Sequence, residues 1–197
     1  MFPVKDAIDF VKERINSLQD DVQYCLETRP GKSGAPFPAL LYCFSTIDLL
    51  GALYNGDGEG AHTTQNSKLY VKNFMKYSDE QIDLLQNLFR HKIVHLAQPP
   101  IVIKRGSKLI SWSYNHKPDV NHLKIIEFQP PPLKIRLRFS KEIECTHQFF
   151  VSIWQFEEDI RKSVENPNDG YLAQLQREPD LQEKFMTAIN QIYDPNN

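Results

Sequence analysis

The 197-residue sequence is short of cysteine, of net charge and of long apolar runs, and each shortage removes a class of protein. Its three cysteines, Cys25, Cys43 and Cys145, are odd in number and far apart, so neither a disulfide framework nor a four-ligand zinc site can be read from them. They read as buried free thiols. A formal charge of -2 excludes a chain that coats nucleic acid by bulk electrostatics, although a local basic patch is compatible with it. No run is read as reaching the ~20 apolar residues of a membrane helix, and "MFPVKDAIDF" lacks the charged-then-apolar order of a secretory signal. The expectation is a cytoplasmic protein with no membrane partner. Internal repeats and low-complexity tracts are missing too, and the length predicts a single domain over 1–197.

What charge there is lies unevenly. Between Ile101 and Lys141 nine Lys or Arg face two acids, a local balance of +7 that leaves the remainder at -9. The apolar pattern also changes along the chain. Val4, Ile8, Val11, Ile15, Leu18, Val22 and Cys25 alternate spacings of four and three, the stripe of a long helix that "RPGKSGAPFP" breaks. Ala39 to Tyr54 is apolar on nearly every side and predicts a helix buried in a bundle, with a mobile Gly-rich loop after it from Asn55 to Asn66. Helix is expected near Ser67 to Tyr77 and again from about Asp79 to Ala97, with Ser78 as cap and Pro99 and Pro100 as stop. Residues 101–139 are short β-branched, alternating runs and predict a small antiparallel sheet, with Gly106 at a hairpin turn. In "LKIRLRF", Lys134, Arg136 and Arg138 fall on one strand face opposite Leu133, Ile135, Leu137 and Phe139. Helical spacing returns from Lys141 to about Asn166, and a last helix is expected over Asp180 to Tyr193.

The segment "LFRHKIVHL", Leu88 to Leu96, sets an arginine and two histidines among aliphatic residues. On a regular α-helix, Ile82, Leu85, Phe89, Ile93 and Leu96 form the core face, while Asp83, Asn87, Arg90 and His91 lie away from it. His95 lies ~140° from Arg90, near the direction of Leu84 and Leu88. A second apolar side implies a cover, and a second subunit would supply one. Arg90 and His95 would then face a groove between two copies.

Arg90, four intervening residues and His95, near the end of a helix in a helical bundle, resemble the R-x4-6-H motif of the HEPN superfamily (higher eukaryotes and prokaryotes nucleotide-binding). His91, a polar residue directly after the arginine, and Asp48, an acid in the preceding buried helix, match features common in that family. The resemblance covers roughly residues 1–97 plus the helix after 141. It implies a mainly α fold, a dimerising HEPN-like bundle of four or five helices, with the segment at about 101–139 as a β insertion. It also implies a metal-independent endoribonuclease without cofactor, in which Arg90 steadies the scissile phosphate, His95 serves as base or acid and Asp48 is a third member. Such chemistry leaves 2′,3′-cyclic phosphate ends, and a toxin-like role would add an antidote protein as partner. The chemistry is sound on its own terms: imidazole exchanges protons near neutral pH, and guanidinium holds two phosphate oxygens in a planar fork.

Other readings stand beside it. Members of the superfamily without catalysis only bind, so a module that binds a nucleotide, RNA or protein partner is the alternative. Arg90 and His95 could serve structure alone, and Asp48 could pair with a neighbouring group such as Arg90. His91 and His95 have no third metal ligand in sight. Lys134, Arg136 and Arg138 could guide an RNA backbone while Trp112 or Tyr114 stacks on a base, or they could form a solvated face that deters edge aggregation. "PGKSG" lacks the first glycine of a phosphate loop. Leu84 and Leu88 could pair helices in a plain scaffold.

Overall fold

A computed structural model of the chain describes residues 3–27, 34–90, 102–129, 132–136 and 142–193. The protein is mainly α-helical, with seven helices among the described residues. Helix α1 (Val4–Leu26) buries Ala7, Val11, Ile15, Leu18, Val22 and Leu26, the stripe its sequence predicts shifted slightly at both ends. Helix α2 (Pro36–Asn55) begins with proline in its first turn, where a missing amide hydrogen costs nothing, and ends at Gly56 in the left-handed region. It is the central element and packs against helices before and after it in the chain. Contrary to expectation, α2 is long and apolar enough to cross a membrane by length and composition, yet more than half of that stretch is buried in this fold.

Helix α3 (Thr63–Tyr70) runs into a π turn at Val71–Met75, and α4 (Asp79–Leu84) runs into a second at Leu85–Arg90. Ser78 starts α4 through a reciprocal cap. Its hydroxyl accepts the Gln81 amide at 3.3 Å, and the Gln81 side chain accepts the Ser78 amide at 2.8 Å. The stretch expected to be a mobile loop is instead a tied turn. Asp57 accepts amides from Ala61 and His62 and the side-chain amide of Asn66, while Gly58 N–H donates to Gln191 at 2.7 Å.

The β region is larger and differently paired than expected. Strands β1 (Val102–Arg105) and β2 (Lys108–Asn115) form a hairpin around Gly106, whose positive φ of 58° suits glycine. Strand β3 is Ile125–Glu127, β4 is Leu133–Arg136, β5 is Glu142–Cys145 and β6 is His147–Ser152. The main sheet has the order β1-β2-β6-β3 with β2 and β6 parallel, so it is mixed rather than antiparallel, while β4 and β5 form a separate antiparallel ribbon. The helix expected from Lys141 therefore starts at Ile153, where α5 (Ile153–Glu165) is capped by Ser152. The cause is pairing. Ile143 meets Ile135 on a neighbouring strand and Phe149 meets Trp112 far back in the chain, cross-strand partners that a local helical period cannot register. Short α6 (Tyr171–Leu175) and α7 (Pro179–Tyr193) complete the fold. Two of the three free cysteines, Cys43 and Cys145, are buried, and Cys25 is partly so.

Candidate functional site

Helix α2 carries three polar residues in its apolar middle, and they fare differently. Ser45 and Thr46 both donate their hydroxyls to the Tyr42 carbonyl, one turn back, at 2.9 and 3.0 Å. Asp48 looks elsewhere. A half-buried carboxylate is costly without partners, and its partner is Arg90, 42 residues on. Arg90 Nε donates to both carboxylate oxygens at 3.0 Å and Nη2 donates to Oδ2 at 2.8 Å, a side-on fork. The third nitrogen, Nη1, donates to Thr64 Oγ1 at 3.1 Å and, more weakly, to Gln86 Oε1 at 3.5 Å. Ser67 donates its hydroxyl to Asp48 Oδ1, with the Thr63 carbonyl 2.7 Å away as the alternative acceptor.

Two local features bring these groups together. Gly51 has no side chain, and a Cβ there would stand 2.7 Å from backbone atoms of Asn66 and Ser67, so α3 can lie directly against α2 and bring Ser67 to Asp48. The second feature is the π turn at Leu85–Arg90. It closes i→i+5 rings and so advances each residue by less than an α-helix does, which re-aims the side chains at its end. On the regular wheel Arg90 faces away from the core; here it is 9 % exposed and Gln86 is 4 % exposed. The expectation of an outward Arg90 is corrected accordingly. Leu84, expected on a second apolar side awaiting a cover, is 2 % exposed within the single chain, so it needs no second subunit to bury it.

The structure thus joins two of the expected catalytic residues, Arg90 and Asp48. The other two, His91 and His95, lie outside the described residues, as does Arg138. Thr64, Ser67 and Gln86 were missed. The run "TTQNS" did hold the signal, since Thr63, Thr64 and Ser67 crowd hydroxyls onto one short helix near a buried acid.

The strand cations are matched by acids. Lys134 lies opposite Glu144 and Arg136 opposite Glu142, and Lys134 Nζ stands 3.5 Å from Glu144 and 3.6 Å from Glu142. Those acids fall just past the +7 segment, so the ribbon face carries both signs. Trp112 pairs with buried Phe149 and packs against the core; its ring stacks on Tyr114 at 5.7 Å and meets the edge of Phe37 at 6.1 Å. A groove of about 650 Å³ opens between α3 and α4, lined by Lys68, Leu69, Lys72, Asp83 and Arg105, but neither Asp48 nor Arg90 lines it.

A second polar cluster, unforeseen in sequence, ties α5 to the turn before α4. Tyr77 donates to Asp159 Oδ2 at 2.6 Å, Gln155 donates to Oδ1 at 3.0 Å, and His122 Nε2 stands 3.6 Å from Oδ2. His122 Nδ1 accepts the Ser152 amide at 3.0 Å, which puts the ring proton on Nε2, towards Asp159. Burial pushes the Asp159 carboxyl up, but its contacts with His122, Tyr77 and Gln155 outweigh that and hold it below the usual range. Burial, and then the charge of Asp159, push the Tyr77 hydroxyl well up. No group of three or more His, Cys, Asp or Glu among the described residues is arranged to hold a metal ion.

No family model, curated protein or solved structure matches this chain.

Proposed function

We propose that the protein is a HEPN-like helical module that acts on RNA as a metal-independent endoribonuclease, with Arg90 as the phosphate group's partner and His95 as acid or base. The observation that supports it most is the side-on fork between Asp48 of α2 and Arg90 at the end of the α4 π turn. The resemblance includes both an acid in the preceding buried helix and the arginine of the motif, and here those two side chains bond, a pairing that a purely structural role would also produce. A π turn at the arginine adds to this, because such turns collect at functional sites. In this reading Asp48 holds the guanidinium in the resting protein, two chains assemble around the Arg90 and His95 segment, and an antidote protein would be the physiological partner.

The reaction needs no group from outside. Neutral imidazole takes the ribose 2′-hydroxyl proton, the 2′-oxygen attacks phosphorus, and the imidazolium so formed returns that proton to the departing 5′-oxygen, giving a 2′,3′-cyclic phosphate end and a free 5′-hydroxyl. Guanidinium stabilises the charge that grows on the phosphoryl oxygens. Purified protein incubated with mixed RNAs in excess chelator tests this: cleavage with cyclic phosphate ends, abolished in His95→Ala and Arg90→Lys, is the expected result.

A second reading has its own support. Arg90 is 9 % exposed and spends its donors on Asp48, Thr64 and Gln86, which suits a module that binds without cutting. Intact RNA in the same experiment, with binding retained, would favour it.

A further inference from the structure

We infer that Asp48 is a built-in competitor for the Arg90 guanidinium, holding it closed until a phosphodiester of single-stranded RNA displaces the carboxylate. This regulation rests on the RNA-directed reading above. A guanidinium has five N–H groups, and a side-on or end-on grip on phosphate needs two of them on one edge. The side-on edge, Nε and Nη2, is on Asp48, and Nη1 is on Thr64 and Gln86. One Nη2 hydrogen is left without a partner among the described residues, too few for a bidentate grip. Phosphate and carboxylate therefore compete for the same edge.

The surroundings suit an exchange. Asp48 has the more exposed side chain of the pair, 23 % against 11 %, so water can reach the carboxylate as it is released. Ser67 keeps its bond to Oδ1, so the freed acid is not stranded. Thr64 and Gln86 hold Nη1 as a pivot around which the side-on edge can turn. One charge-assisted pair replaces another, so the balance is set by how much better the guanidinium holds phosphate than Asp48.

The test uses the full chain and a fluorescent, 2′-O-methylated single-stranded RNA, which is bound but has no hydroxyl to attack. Asp48→Asn is expected to bind it about tenfold more tightly, equivalent to about 1.4 kcal/mol. The slope of log affinity against log salt should change little, because the same phosphate reaches Arg90 in both complexes. Glu80→Gln makes the same charge change on an exposed residue and is expected to leave affinity unaltered. Equal gains in the two variants, or no gain in Asp48→Asn, overturn the proposal. Should Asp48→Asn fold poorly, the native protein gives the answer by NMR. The Arg90 Nε–H resonance, identified by its loss in Arg90→Lys, should move as RNA is added, and a fixed resonance at saturation overturns the proposal. Failures separate cleanly. A wild type that cuts RNA while Asp48→Asn binds no better loses the competitor and keeps the nuclease; a tighter Asp48→Asn in a protein that cuts nothing does the reverse.

Discussion

Gly51 of α2 and Asn66 of α3 touch backbone to backbone, so that a methyl group on Gly51 would lie 2.7 Å from the Asn66 carbonyl carbon. Because the obstacle is main chain, the helices must separate to admit it. Gly51→Ala should cost about 1–3 kcal/mol, as overpacked cores do. Urea unfolding should show a lower midpoint with an unchanged slope. The same separation would draw Ser67 away from Asp48.

Arg90→Ala leaves Asp48 without its main partner and should cost about 3 kcal/mol, the usual penalty for breaking a largely buried pair. Asp48→Ala should cost a similar amount, and the double variant less than the two combined. Additive losses in a double-mutant cycle would show that the fork does not couple these helices. Activity assays need Arg90→Lys for this reason, since it keeps the charge.

Glu157 is 3 % exposed and its Oε1 has no hydrogen-bond partner among the described residues. Burial pushes its carboxyl up; Arg161 opposes this, and Glu158 and Glu165 add to it. A raised acid in the folded state is fully compatible with folding below the ordinary glutamate range, near pH 4.3, and costs stability as pH rises through its folded value. Glu157→Gln should therefore melt higher than wild type at neutral pH, with the gap closing as pH falls towards 4. A gap independent of pH would contradict this.

Asp57 gives the opposite sign. The amide of His62 and the Asn66 side chain hold its carboxyl below the usual range, against a smaller push from burial. Its contribution is present above the ordinary aspartate range and is lost as pH falls through the depressed folded value. Asp57→Asn should flatten the acid limb of the stability curve below about pH 4. Amide exchange at Ala61 and His62 should quicken at neutral pH.

Lys134 stands beside Glu142 and Glu144, so its charge is already matched. Lys134→Ala should change RNA affinity less than twofold and stability by about 0.5 kcal/mol or less, in keeping with exposed pairs. Glu142→Gln with Glu144→Gln should raise RNA affinity if the ribbon lies on the RNA path, and filter binding at two salt concentrations measures it.

The elements readable in sequence were those written in neighbouring residues. The stripe of α1 and the Ser78 cap depend on spacings of three or four, and α2 is legible as a continuous apolar run. The sheet did not yield in the same way, because Phe149 and Phe150 suit a helical face as well as a strand until Trp112 is known to lie beside Phe149. At the site, the pairing of Asp48 with Arg90 was among the readings that residue type allowed. The inward turn of Arg90 was not, since a wheel drawn at a fixed angle has no room for the π turn at Leu85–Arg90.

The parallel junction of β2 with β6 bears on how the chain reaches this shape. Leu109 and Thr146 bond across 37 residues, so the middle of the sheet closes only after a wide loop of chain has been gathered. The β1-β2 hairpin can zip early, on microseconds, but its free edge must wait for a distant strand. During that wait the edge is open to strangers, so the yield of refolding should fall as protein concentration rises.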